Sequence, residues 1–137
     1  MPKLFGLNVL AVLVASVAFW FIGFLWYGIM FSDAWMAAHN VTPEAAQNES
    51  PVWMVGGFVI TVMQVVGIGL VLKWKGVTGL VNSKITAAIL WLVFALPFTC
   101  YNYLYLTAHD STLLMIDASH LLVGWVASAA ILSLMKA

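Results

Sequence analysis

The sequence predicts an all-α integral membrane protein, a bundle of four transmembrane helices that takes up residues 1–137 as a single domain. Three observations predict this fold class. Hydrophobic residues make up 64% of the chain and charged residues only 7%, four long apolar runs are present, and nearly all the charges lie outside these runs. A soluble domain needs about 25% charged residues to cover its surface. In a bilayer each backbone N–H and C=O must be paired within its own segment, so we expect the runs to be helices.

The four helices are predicted at about residues 8–31, 52–73, 85–107 and 113–135. Each has roughly 21–24 residues, enough to cross about 30 Å of hydrocarbon at about 1.5 Å per residue. The first run contains Ser16-Val17-Ala18, which could pass for the cleavage site of a signal peptide. However, the apolar run continues well past Ala18, too far for a signal peptide. We therefore expect this segment to be retained as the first membrane helix.

The charge of the connecting loops predicts the topology. The first and longest loop, about residues 32–51, has acids but no lysine, whereas the second, about residues 73–84, has three lysines and no acid. The remaining lysines, Lys3 and Lys136, are near the two termini, so all five lysines fall on one side of a protein with four spans. The positive-inside rule predicts that this side, with both termini, is cytoplasmic, and that the longer first loop is extracytoplasmic.

Aromatic residues are concentrated where the predicted spans end. The segment GFLWYGIMFSDAW, residues 23–35, closes the first apolar run. Amphipathic rings favour the level of the lipid headgroups, so this pattern predicts an aromatic belt. The predicted interfacial aromatic residues are Trp26, Tyr27, Trp35 and Trp53 on the outer side and Trp74 on the inner side.

The composition also argues against several classes of partner. The chain has no Arg and a net charge of zero, so we expect no nucleic-acid partner. Its lone Cys100 and its scattered histidines, His39, His109 and His120, show no spacing typical of metal ligands, and we predict neither a metal nor a cofactor. The partner that the composition does predict is the lipid bilayer.

The first helix carries a recognisable motif. An early Asn is followed by Gly-x-x-Trp-Tyr, a Phe and a downstream Trp, here Asn8, Gly23, Trp26, Tyr27, Phe31 and Trp35. This motif resembles that of a family of small bacterial membrane proteins known as domain of unknown function 1761. The last helix of that family tends to carry an acid followed three residues later by Tyr or His, which Asp117 and His120 resemble. The resemblance implies four helices and a membrane location, and it implies no established activity. We predict that the membrane is the bacterial cytoplasmic (inner) membrane.

One ionisable pair lies inside a predicted span. Asp117 is four or five residues into the fourth run, roughly 6 Å below its outer boundary, and His120 follows one turn later on the same face. Gly124 and Ser128 continue this polar and small face, which we expect to contact the bundle or another subunit. Residues of the first and third helices at matching depth complete the candidate polar site, which comprises Tyr27, Thr99, Asn102, Asp117 and His120.

Two interpretations of this candidate site stay open. It is either a structural network that holds the third helix against the fourth, or a functional site, as ionisable residues within membranes often are. Pro97 in the third helix removes a backbone hydrogen bond and should kink the helix beside the site. Gln64 is a secondary candidate near the middle of the second helix, either as a pore-lining amide or in an interhelical hydrogen bond.

Three functions are compatible with these observations. The first is a non-catalytic membrane component that works as a homo-oligomer, suggested by small-residue stripes on the first helix, Asn8, Ala11, Ala15 and Ala18, and on the fourth. The second is a channel or transporter for a proton, an ion or a small solute, with Asp117 and His120 in its path. The third and weakest is a membrane enzyme that uses the same pair as acid and base. Enzymatic activity is not favoured, no catalytic residue is predicted, and the ligand is unknown.

Overall fold

The computed structural model describes residues 3–31, 33–34, 37, 52–105 and 111–136, and all their side chains except those of Val52, Trp53, Asn102 and Tyr105. It confirms the predicted all-α fold class. Four helices are long and apolar enough to span a membrane, Val9–Met30, Met54–Trp74, Leu80–Tyr101 and Ser111–Leu134. The protein is therefore a multi-pass membrane protein. Most of the first loop lies outside the described residues.

The four membrane helices are labelled here in chain order. Helix α1 is Val9–Gly23 and continues as the π-helical stretch Phe24–Met30, and α2 is Val52–Trp74. Helix α3 comprises Leu80–Leu90, a π-helical stretch Trp91–Ala95, and Leu96–Tyr105, and α4 is Ser111–Leu134. Helix α3 thus begins at Leu80 rather than near residue 85, because its first turns are polar and the apolar pattern starts only after them.

A π-helical stretch, Trp91–Ala95, precedes Pro97, the residue at which a kink was expected. Proline has no amide hydrogen, so the carbonyl four residues earlier, at Val93, cannot receive its usual hydrogen bond. At Leu96 the N–H donates to the carbonyl of Trp91, five residues back. The wider turn therefore begins before the proline, within the membrane-spanning part of α3.

A short hairpin that the sequence analysis did not predict precedes α1. Strand β1, Lys3–Leu4, pairs antiparallel with β2, Leu7–Asn8, and the two are joined through Phe5 and Gly6 at φ values of 52° and 81°. The side chain of Asn8 accepts a hydrogen bond of 2.9 Å from the backbone N–H of Leu10 and so caps the start of α1. The Asn of the family motif thus has a local structural role.

Part of the core of the bundle lies where α1 packs closely against α4, and the most extensive contact between two helices is that of α3 with α4. Ala11 and Ala15 of α1 are fully buried, and so are Ser128 and Ala129 of α4. At Gly124 a Cβ atom would overlap the ring of Phe19. The small residues of both helices therefore allow this close approach within one chain.

The ends of the helices alternate, as the apolar runs predicted. The hairpin, the α2–α3 turn and the end of α4 meet at one end of the bundle, where Leu7, Lys73 and Lys136 line a common cavity. This end is called the lysine end, and its lysines are Lys3, Lys73, Lys75, Lys84 and Lys136. The other end of the bundle, where α1 finishes and α4 begins, is called the opposite end.

Candidate functional site

A hydrogen-bonded contact joins the end of α1 to the first turns of α4 at the opposite end. The Tyr27 hydroxyl donates a hydrogen bond to the carboxylate of Asp117. The neighbouring Trp26 donates its indole N–H to the Ser119 hydroxyl at 2.9 Å, and that hydroxyl donates to the carbonyl of Ile116 at 3.0 Å. Both donors lie in the π-helical stretch of α1, whose wider turn lets two consecutive aromatic side chains reach the same neighbouring helix.

His120 lies beside this contact, enclosed by aromatic rings. Its imidazole is 5.0 Å from the ring centroid of Tyr27 in an edge-on arrangement and 5.5 Å from that of Phe19. Its Nε2 atom is buried and, in the part of the chain that the structure describes, has no hydrogen-bond partner. A Cβ atom at Gly23 would lie 3.1 Å from this nitrogen, so the glycine is what leaves it room. We call Tyr27, Asp117 and His120 the α1–α4 cluster.

The other two predicted members of the polar site are on α3. Thr99 is buried, and its hydroxyl donates to the Ala95 carbonyl of its own helix at 2.7 Å. The side chain of Asn102, expected to be a partner of Asp117, lies outside the described residues. The structure therefore brings Tyr27, Asp117 and His120 together, and the hydrogen bond to Tyr27 links α4 to α1.

Gln64, the secondary candidate, makes a contact between α2 and α4. Its side-chain carbonyl accepts a hydrogen bond of 2.8 Å from the indole N–H of Trp125, and its amide nitrogen lies 3.4 Å from the Ile60 carbonyl. Of the two roles predicted for Gln64, a pore-lining amide and an interhelical hydrogen bond, this contact is the interhelical hydrogen bond. It lies deeper in the bundle than the α1–α4 cluster.

Sequence reasoning missed the contribution of tryptophans within the spans. Trp91 donates its indole N–H to the Ala118 carbonyl at 2.8 Å, which joins α3 to α4 one residue from Asp117. Trp125 makes the corresponding bond to Gln64. The available signal was their position, because an indole N–H far from the membrane surface needs a partner within the protein.

The predicted interfacial aromatic residues have different surroundings. Trp26 and Tyr27 are half-buried and donate their hydrogen bonds to α4. Trp74 is 76% exposed at the lysine end, as a ring at a membrane surface would be. Trp35 is outside the described residues, as is the side chain of Trp53.

The α1–α4 cluster combines a carboxylate, a phenol and an imidazole, all three half-buried within the bundle. These groups exchange protons and bind small polar species, and they are rare within membrane spans unless they have a use. Among the described residues, no group of three His, Cys, Asp or Glu side chains is arranged to hold a metal ion. The three side chains themselves are proton donors and acceptors.

Comparison with known proteins places the chain in a family. No curated protein and no solved structure shows a significant match. The family described as "protein of unknown function (DUF1761)" matches residues 10–133, a range that includes the α1–α4 cluster and extends over all four helices. The chain therefore belongs to the DUF1761 family.

Proposed function

We propose that this protein carries protons across the membrane, as a channel or as part of a transporter, through the α1–α4 cluster. The observation that carries the proposal is the buried Nε2 atom of His120, which lies beside the Tyr27–Asp117 pair and has no hydrogen-bond partner among the described residues. Ionisable side chains inside membrane spans mark proton relays and ion paths in many transport proteins. Imidazole is well suited to such a path because it can both take up and release a proton.

A purely structural cluster accounts for only part of this arrangement. The Tyr27–Asp117 hydrogen bond would by itself hold α1 against α4. The imidazole of His120 adds a buried nitrogen that has no hydrogen-bond partner in the described part of the chain. Such atoms are uncommon in folded proteins because they lose their hydrogen bonds to water and gain none within the protein. A role in which the His120 imidazole binds a proton or a water molecule during transport explains the presence of this buried nitrogen.

The space at the cluster favours a proton over a larger solute. The imidazole is bounded by the rings of Phe19 and Tyr27. On its Nε2 side a single added Cβ at Gly23 would come within 3.1 Å. This room suits a proton or one water molecule, and an ion or small solute would need the helices to separate. A membrane enzyme with Asp117 and His120 as acid and base is the weaker alternative, and substrate density beside His120 would support it.

The proposal is tested with the full chain reconstituted into liposomes that contain a pH-sensitive dye. Under an imposed potassium diffusion potential, the wild-type protein should raise the rate of proton entry well above that of protein-free liposomes. Asp117→Asn and His120→Gln should lower the rate to the protein-free level. Ser128→Ala is the matched control, because it removes from the same helix a hydroxyl whose hydrogen bond among the described residues is to the Gly124 carbonyl at 2.7 Å. Equal rates for wild type and for empty liposomes would refute the proposal.

A second candidate function is that of a non-catalytic component of a membrane complex made of several copies. Between 22% and 33% of each spanning window is buried within one chain, so most of the surface is left for lipid or for other copies. On α2, Gly56 and Gly67 are exposed, and an added Cβ at either would meet no atom within 4 Å. Small residues allow close contact between membrane helices. A detergent-corrected mass equal to one 15.0 kDa chain would exclude this candidate.

We further propose that the lysine end faces the cytoplasm of a bacterial cell, which places both termini inside. The support is the one-sided distribution of the five lysines. Single-cysteine variants at Asp33 and Lys75, made in a Cys100→Ser background, should react with a membrane-impermeant reagent from opposite sides. Reaction of both from the same side would show that the orientation is wrong.

A further inference from the structure

A cavity of about 600 Å³ opens at the lysine end, far from the α1–α4 cluster. It lies between the hairpin, the end of α2, the α2–α3 turn and the last turns of α4. Ligand pockets in proteins are typically about 300–1,000 Å³, so the cavity is large enough for a headgroup or a small molecule. Nothing in the proposed proton path uses it.

The shape of the cavity follows from how the chain turns around it. Gly76 and Gly79 have φ values of 67° and 88°, a region that favours glycine, and they carry the chain from α2 to α3 around one side. On the other side Leu7 of the hairpin packs onto α2 at Gly69, where a Cβ atom would lie 2.7 Å from a Leu7 methyl group. The turn and the hairpin thus hold the helix ends apart and leave the space between them.

Two cations line the cavity. Lys73 donates a hydrogen bond of 2.7 Å from its Nζ atom to the Gly6 carbonyl, which fixes the ammonium group near the hairpin. An ammonium group has three donors, so at most one is used by this bond. Lys136 lines the cavity from the end of α4. None of the described residues that line the cavity is acidic. In the sequence, four of the five acids lie in the α1–α2 and α3–α4 connections and the fifth lies near the start of α4.

The remaining wall combines hydroxyl groups with buried apolar side chains. Thr78 and Ser83 line the cavity, and Ser83 is only 2% exposed although it is polar. Leu7, Leu72 and Leu132 also line it, and all three are buried. A freely soluble anion would gain nothing from the leucines, whereas a lipid would place its glycerol and first methylene groups against them.

We propose that this cavity binds the headgroup of an anionic phospholipid, with Lys73 and Lys136 at the phosphate and the leucines at the start of the acyl chains. Clusters of lysines at the ends of membrane helices attract anionic lipids, and basic pockets between such helices bind their headgroups. The lysine end is formed by the ends of membrane-spanning helices, so the cavity lies at the depth of lipid headgroups. The proposal does not depend on the function of the α1–α4 cluster.

The experiment measures lipid binding to the purified full-length protein in detergent by native mass spectrometry. Dioleoyl phosphatidylglycerol should bind to one saturable site about tenfold or more tightly than dioleoyl phosphatidylcholine, which has the same acyl chains. Glycerol 3-phosphate, which carries the phosphate without the chains, should not displace the lipid at equal concentration. Displacement would assign the cavity to soluble phosphates, and equal binding of the two lipids would show that the lysines do not select the headgroup. Either result would overturn the proposal.

Matched double variants separate the cavity from the general charge of this end. Lys73→Gln with Lys136→Gln should lower the preference for phosphatidylglycerol about tenfold. Lys75→Gln with Lys84→Gln makes the same change in net charge at lysines that do not line the cavity, and should keep the wild-type preference. Equal losses in both variants would contradict a defined site. If the first variant does not fold, as judged by circular dichroism, Ser83→Leu keeps both lysines and fills the cavity. It should also abolish binding, and wild-type binding by it would refute the proposal.

Discussion

At the opposite end of the bundle, Tyr27 and Asp117 bond directly across α1 and α4, and the imidazole of His120 is enclosed between aromatic rings. At the lysine end, Lys73 and Lys136 line an open cavity of about 600 Å³. Both ends carry polar groups at the limits of the same helices. They differ in whether those groups are enclosed by neighbouring helices or remain accessible from outside.

The difference has a cause in the residues between the helices. Gly124 lets the Phe19 ring of α1 lie directly on α4, and Gly23 lets the imidazole of His120 on α4 lie close to α1. At the lysine end, the glycine turn and the hairpin hold the helix ends apart. We therefore expect substitutions in the α1–α4 contact to change stability, and substitutions at the lysine end to change binding. The following predictions test this division, from the largest expected effect to the smallest.

The largest effect is expected for Gly124→Ala. Its new methyl group would overlap the ring of Phe19, which is only 2% exposed and has little room to move. Overpacking a well-packed core lowers the free energy of unfolding by about 1–3 kcal/mol. The measurement is SDS-induced unfolding in mixed micelles followed by circular dichroism. Gly67→Ala is the control, because a Cβ there meets no atom within 4 Å, and it should unfold like the wild type.

Tyr27→Phe should have the next largest effect. It removes the donor to the Asp117 carboxylate without changing the ring, and hydrogen bonds to charged groups contribute about 1.5–3 kcal/mol in soluble proteins. Values within membranes average about 0.6 kcal/mol with a maximum near 1.7, so we expect a loss of about 1–2 kcal/mol. Thr86→Val is the comparison at the lysine end, since the hydrogen bond of that hydroxyl among the described residues is to the Asn82 carbonyl of its own helix at 2.8 Å. Equal losses of unfolding free energy in the two variants would contradict the expectation that the α1–α4 contact contributes more to stability than the lysine end.

The contact between Trp125 and Gln64 should contribute less. A double-mutant cycle of Trp125→Phe and Gln64→Leu isolates their hydrogen bond of 2.8 Å. We expect a coupling of about 0.6 kcal/mol, the average for interhelical hydrogen bonds in membranes. A coupling near zero would show that the two side chains find other partners when separated. The same unfolding assay provides the measurement.

The smallest effect on stability is expected for Lys73→Gln. Its hydrogen bond to the Gly6 carbonyl is exposed, and substitutions at exposed positions usually change the free energy of unfolding by less than about 0.5 kcal/mol. The same variant should nevertheless weaken the binding of phosphatidylglycerol. A large loss of stability would show that the main role of Lys73 is to hold the hairpin against α2.

The candidate site could be predicted only in part from the sequence. Asp117 and His120 stood out because ionisable residues inside an apolar run are rare, and depth matching placed Tyr27, whose hydroxyl bonds to Asp117, at their level. Depth matching cannot determine which neighbouring helix a side chain faces. It placed Thr99 with the cluster as well, whereas the described hydrogen bond of Thr99 is to its own helix. Trp91 and Ser119 were missed because neither has a charge and both fit an apolar span.

The sequence by itself determined the class of the protein, its four spans and the common end of its lysines. These follow from hydropathy, segment length and charge, which act along the chain and do not depend on how the helices pack. Only the tertiary structure decided that small residues bring α1 close to α4, that Tyr27 is a partner of Asp117, and that a hairpin and a cavity occupy the lysine end. The reason is that lipid and protein are equally apolar surroundings for a membrane helix. Hydropathy therefore does not determine which face of a helix packs against which neighbouring helix. The shapes of small and aromatic side chains such as Gly124 and Phe19 determine it.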